Sequence, residues 1–64
     1  MTRMEDLTAA LEEMLAASPG AVSIAAGIAL LRQRGAIQSD VDLQNLVGSF
    51  AAERRRPIRF DRQP

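Results

Sequence analysis

Residues 18–35, SPGAVSIAAGIALLRQRG, decide the fold, because they admit two readings. Ser18 precedes Pro19, which disfavours the α conformation at Ser18 and ends any helix before it. The same serine can cap a new helix with Pro19 as its first residue, where the missing N–H costs nothing. Val22, Ile24, Ile28 and Leu31 then supply bulky positions, joined by Leu30. Arg32 and Arg34 fall in the last turn, where cations suit the helix dipole, and Gly35 suits a left-handed stop. This predicts a helix over residues 19–34. Gly27 opposes it, weakening a helix by roughly 1 kcal/mol relative to Ala, so a strand or a break in the same stretch stays open.

The flanking segments are simpler. Before it, Met4, Leu7, Leu11, Met14 and Leu15 recur at three- and four-residue spacing and form one apolar stripe. Thr2 and Glu5 fit a capping box, and Glu5 and Asp6 suit the positive end of the dipole. A helix over about residues 3–17 follows. After it, Ser39 and Asp42 repeat the capping pattern, with Asp40 adding charge to the first turn. Leu43, Leu46, Val47 and Phe50 make the next stripe, with Ala51 beside it, and Pro57 sets the latest end. A third helix is expected over about residues 40–55, with Gly48 weakening its middle.

The expected fold is therefore all-α: a small three-helix bundle over residues 1–56, with an extended C-terminal tail over 57–64. The other reading of residues 21–34 gives an α+β alternative, two helices flanking a short hairpin. Sixty-four residues make one domain at most, and a core of that size supplies no more than roughly 3–5 kcal/mol. Cys and His are absent, so disulfides and His/Cys metal sites are excluded and no cofactor is implied. Association is the expected source of further stability. Ser23, Ala26 and Gly27 belong to a run of small side chains that allows a second backbone to approach, either within the bundle or across a homo-oligomer seam.

Catalysis is not expected. The chain has no His, Cys, Lys or Tyr, which removes most general bases and nucleophiles. Glu5 and Asp6 stand where a secretory signal needs a basic region. The longest apolar run, AVSIAAGIALL, is far short of the roughly 20 residues that cross a bilayer. A cytoplasmic protein with no membrane contact is the expectation.

Zero formal net charge hides a polarised chain. Residues 1–17 set one arginine against four carboxylates, and residues 53–64 set five arginines against two. The tail ERRRPIRFDRQP is the candidate binding element. Arg54, Arg55 and Arg56 continue from the third helix. Pro57 then prevents helix, so Ile58 and Phe60 would face one way in an extended chain and Arg59 the other. Two apolar side chains need a surface: the bundle itself, or the sheet edge of a partner. Arginine also pairs bidentately with carboxylates, and the acidic first helix offers them, within one copy or between copies.

A nucleic-acid role for the tail is the alternative, with charge and one stacking ring to carry it. Residues 19–52 also have the outline of a helix-turn-helix. Its second helix, however, would present Asp40, Asp42, Gln44, Asn45, Ser49 and Ala52 to DNA. Two leading acids repel the phosphates that dominate affinity.

The opening MTRMEDLTAALEEML, the turn at Gly20, the helix start DVDLQNLV and the tail RRRPIRF resemble the layout of the phage head–tail joining protein W family. That resemblance implies a virion protein that binds at the portal of the filled head and creates the surface for tail attachment. It assigns Arg54, Arg55, Arg56, Ile58 and Phe60 to the contact with neighbouring proteins. The family carries a polar β-hairpin between its helices, where residues 21–34 here are Ala-rich. The match places Val22 and Ile24 in a strand, with Gly27 at the bend. The overall expectation is a non-enzymatic structural adaptor, cytoplasmic or in a virion, that docks on another protein through Arg54, Arg55, Arg56, Ile58, Arg59 and Phe60.

Overall fold

A computed structural model describes residues 3–61. Three helices account for most of them, α1 (Met4–Ala17), α2 (Ile24–Gln33) and α3 (Asp40–Glu53). Two short strands, β1 (Val22–Ser23) and β2 (Ile58–Arg59), complete the fold. The strands pair in parallel, Val22 opposite Ile58 and Ser23 opposite Arg59. A parallel pair needs a long crossover, and here it consists of α2 and α3. No helix of the described residues is long and apolar enough to cross a membrane.

The stripes read from the sequence build the core. Leu7, Leu11 and Leu15 of α1 are buried with Ile24, Ile28 and Leu31 of α2 and Leu43, Val47 and Phe50 of α3. Met14, Leu46 and Ile58 pack against them, partly buried. Met4, at the head of the α1 stripe, is 53% exposed. The α2–α3 contact is close because Gly27 faces Val47: a Cβ on Gly27 would lie 2.8 Å from Val47 Cγ1 and 2.9 Å from Cγ2. Gly27 is thus inside a helix and fitted to its neighbour, not at a bend.

The helix ends correct the sequence reading at three points. α2 begins at Ile24 rather than Pro19, and its cap is Ser23, whose Oγ accepts from the Ala26 N–H at 3.1 Å. Ser18–Pro19 instead belongs to the turn between α1 and β1, because pairing with β2 holds Val22 and Ser23 extended. α3 ends at Glu53, before Pro57 can act, through a left-handed residue at Arg55, φ 56°. At the start of α1 the N-cap is Arg3, without a side-chain capping bond, and Thr2 lies outside the described residues.

The ends of α2 and α3 share one backbone design. After α2, the Gly35 N–H donates to Arg32 O and the Ala36 N–H to Leu31 O, at 3.1 and 3.0 Å. After α3, the Arg55 N–H donates to Ala52 O and the Arg56 N–H to Ala51 O, at 3.0 and 2.9 Å. Both are Schellman stops, which place their C′ residue in the left-handed region. Gly35 accepts this freely; for a side-chain-bearing residue such as Arg55 it costs roughly 1–2 kcal/mol.

Candidate interaction surface

The C-terminal segment turns back onto the bundle. Pro57 O accepts from the Val22 N–H at 2.8 Å, which starts the strand pair. Ile58 then points inward, in contact with the core near Gly48. Residues 57–61 therefore pack on the helices, and of the two surfaces the sequence left open for Ile58, the bundle itself receives it. Arg62 and the residues after it lie outside the described residues.

Each predicted docking residue has a defined place. Arg54 pairs with Glu12 of α1 at 2.7 Å and lies 3.5 Å over the centre of the Phe50 ring. Its stacking lets the guanidinium cover an apolar ring while remaining hydrated. Arg56 donates to the carbonyls of Leu15 at 3.1 Å and Gly20 at 3.0 Å, and to that of Ser18. It thereby serves the orphan acceptors at the end of α1, a position where a cation is also favoured by the dipole. Arg55 is exposed. Arg59 stands out from the sheet, 3.3 Å from Asp61 Oδ2.

Ile58 and Phe60 separate. The sequence alternation placed both on one face, yet Phe60 is 69% exposed. The reason is the next residue. The Asp61 N–H bonds back to Arg59 O at 3.0 Å, which bends the chain out of the strand. Asp61 then accepts from the Ser23 hydroxyl at 2.6 Å and from the Ala25 N–H at 2.9 Å. Its carboxylate thus supplies a second cap to α2. The Ser23 hydroxyl, the Ala25 N–H and the Arg59 charge together hold its pKa below the ordinary 3.8. Asp61 was not among the residues singled out from the sequence; an aspartate after a two-residue strand carries no local signal that a helix start lies opposite.

The small-residue set divides as well. Gly27 is spent on Val47, inside the chain. Ser23 and Ala26 border an open groove of about 460 Å³ together with Met14, Leu15, Pro19 and Arg59. The groove runs between the end of α1 and the start of α2, and Arg59 is the charged residue on its rim. Arg59, Ser23 and Ala26 are thus brought together, whereas Arg54 is committed to α1 and Arg56 to the end of α1 and the turn after it. No family model, curated protein or solved structure matches the chain.

Proposed function

We propose that this is a non-enzymatic interaction protein, a small helical scaffold that docks on a partner protein through Phe60, Arg59 and the adjoining groove, and that also self-associates. The observation that carries the reading is the exposure of Phe60 between two fixed neighbours. Ile58 is tied to the core and Asp61 to α2, so ordered backbone presents the ring to solvent. A large aromatic held outward beside a groove and an arginine has the composition of an interface anchor. The lack of His, Cys, Lys and Tyr supports a binding role over catalysis.

A protein partner is favoured over nucleic acid by the use of the arginines. Arg54, Arg56 and Arg59 have acceptors within the chain, in Glu12, backbone carbonyls and Asp61, which reduces the charge left for phosphates. The resemblance of MTRMEDLTAALEEML, DVDLQNLV and RRRPIRF to the head–tail joining protein W family supports a virion connector as the role we assign, with a cytoplasmic stage before assembly. Ile24 and Gly27 lie in α2, where the resemblance called for a strand and a bend, so the proposed contact surface rests on this chain's own geometry.

The test is co-expression with the products of the flanking genes and capture on the tagged full chain. Wild type should hold one structural partner, and Phe60→Ala should lose it while remaining folded. Undiminished capture by Phe60→Ala overturns the surface. Steeply salt-dependent binding to a labelled DNA duplex, with no protein partner, would transfer the function to the nucleic-acid reading.

A further inference from the structure

Arg55 sits where α2 uses a glycine. Both helices close with the same pair of backbone bonds, but Gly35 takes φ 92° and Arg55 takes φ 56°. A non-glycine residue persists in that region when its surroundings over-determine it, and such positions gather at switches. Here the surroundings are the contacts of Arg56, Pro57, Ile58 and Asp61 with the α1–α2 connection and α2. If those contacts are released, nothing holds Arg55 left-handed. Arginine is a good helix former, so α3 can then continue through Arg54 and Arg55. Pro57 keeps Arg56 out of the helix, so the segment beyond stays extended in either state.

Release uncovers a surface of definite chemistry. The Val22 N–H loses Pro57 O, the carbonyls of Leu15, Ser18 and Gly20 lose a guanidinium, and the start of α2 loses a carboxylate. What fits is an extended peptide with an arginine, then an apolar residue two positions on, then a carboxylate three beyond that. Residues 56–61 of a second copy are that peptide: RPIRFD.

We propose that two copies of the chain exchange residues 56–61, each segment pairing with the other copy's β1 in the register Val22–Ile58 and Ser23–Arg59, with Arg55 as the hinge. The exchange keeps the contacts of residues 56–61, now made between copies, removes the left-handed arginine from both and closes with two-fold symmetry. It rests on the self-association part of the proposed function and supplies its route.

The chain has no cysteine, which gives a direct test. Full-length Ser23→Cys and isotopically heavy Arg59→Cys are mixed, equilibrated and oxidised, and the cross-linked species are weighed. Exchange predicts a mixed disulfide several-fold above both homodisulfides at high protein concentration, falling on dilution. Adding Arg55→Gly to both variants should lower it several-fold, because glycine removes the strain that favours opening. Should Ser23→Cys fail to fold, Val22→Cys with Ile58→Cys gives the same readout in the adjacent pair. Mixed and homodisulfides in statistical proportion, or no cross-link at any concentration, overturn the exchange. A dimer seen by ultracentrifugation without the cross-link overturns it too, but leaves self-association standing. A cross-link indifferent to Arg55→Gly overturns the hinge.

Discussion

The Ser23 hydroxyl donates to Asp61 Oδ2 at 2.6 Å, joining residues 38 positions apart and fixing the end of the described chain to the start of α2. Ser23 also accepts from the Ala26 N–H, so one side chain caps its own helix and binds the carboxylate that serves Ala25. The C-terminal segment is therefore a strap, and its contacts with α1, β1 and α2 carry several consequences.

The carboxylate makes stability acid-sensitive. Its pKa is held below 3.8 in the folded chain, chiefly by the Ser23 hydroxyl and then by the Ala25 N–H. A depressed folded pKa contributes stability that is complete above the unfolded pKa and is lost as pH falls through the folded value. Asp61→Asn should therefore be less stable than wild type near neutrality, and the gap should narrow below pH 3.8. Urea unfolding of both proteins across an acid series reads this directly. A gap that stays constant with pH would remove Asp61 from the account.

Arg56 acts as a multiple donor to backbone acceptors. Hydrogen bonds from a charged donor contribute about 1.5–3 kcal/mol when the partner group would otherwise lack one. Partial exposure puts the expected loss for Arg56→Ala at the lower end, about 1.5–2 kcal/mol by chemical denaturation. Arg56→Lys should recover little, since an ammonium cannot reproduce the planar fork.

Gly27→Ala tests the α2–α3 contact. The added methyl gains helix propensity of up to about 1 kcal/mol but meets both Val47 methyls below 3.0 Å. Val47 is 1% exposed and β-branched, with essentially one rotamer available in a helix. Overpacking of this kind costs about 1–3 kcal/mol, so after the propensity gain the variant should be less stable by about 1 kcal/mol. Combining it with Val47→Ala should cost less than the two single changes added together, the signature of direct contact.

Arg55→Gly should stabilise the chain by about 1 kcal/mol, through relief of the left-handed side-chain penalty. The comparison is Gly35→Ala, which imposes the same penalty at the other stop and should destabilise by a similar amount. Thermal unfolding of the two variants beside wild type gives both signs in one experiment.

Signals that act within a few residues were readable in the sequence. Ser39 does accept from the Asp42 N–H at 3.1 Å, Gly35 is the left-handed stop of α2, and the leucine stripes of α1 and α3 form the core. What the sequence hid depends on contacts across the chain. Val22 and Ser23 are strand because Ile58 and Arg59 lie beside them, and nothing within residues 18–24 announces that partner. Pro19 fits a first helical turn as well as it fits the turn it occupies. The stop at Arg55 was masked by Pro57, a sufficient terminator that the fold does not need. Phe60 was grouped with Ile58 by alternation until the bend at Asp61 separated them.

Amide hydrogen exchange at Val22 tests the strap most directly, because its N–H is held by Pro57 O at 2.8 Å, from a residue beyond all three helices. If residues 57–61 are part of the folded body, this amide exchanges as slowly as amides in the middle of α2, and Arg56→Ala accelerates it. If Val22 exchanges at the rate of an unprotected peptide while the α2 amides remain protected, the C-terminal segment is not docked and the strap does not exist.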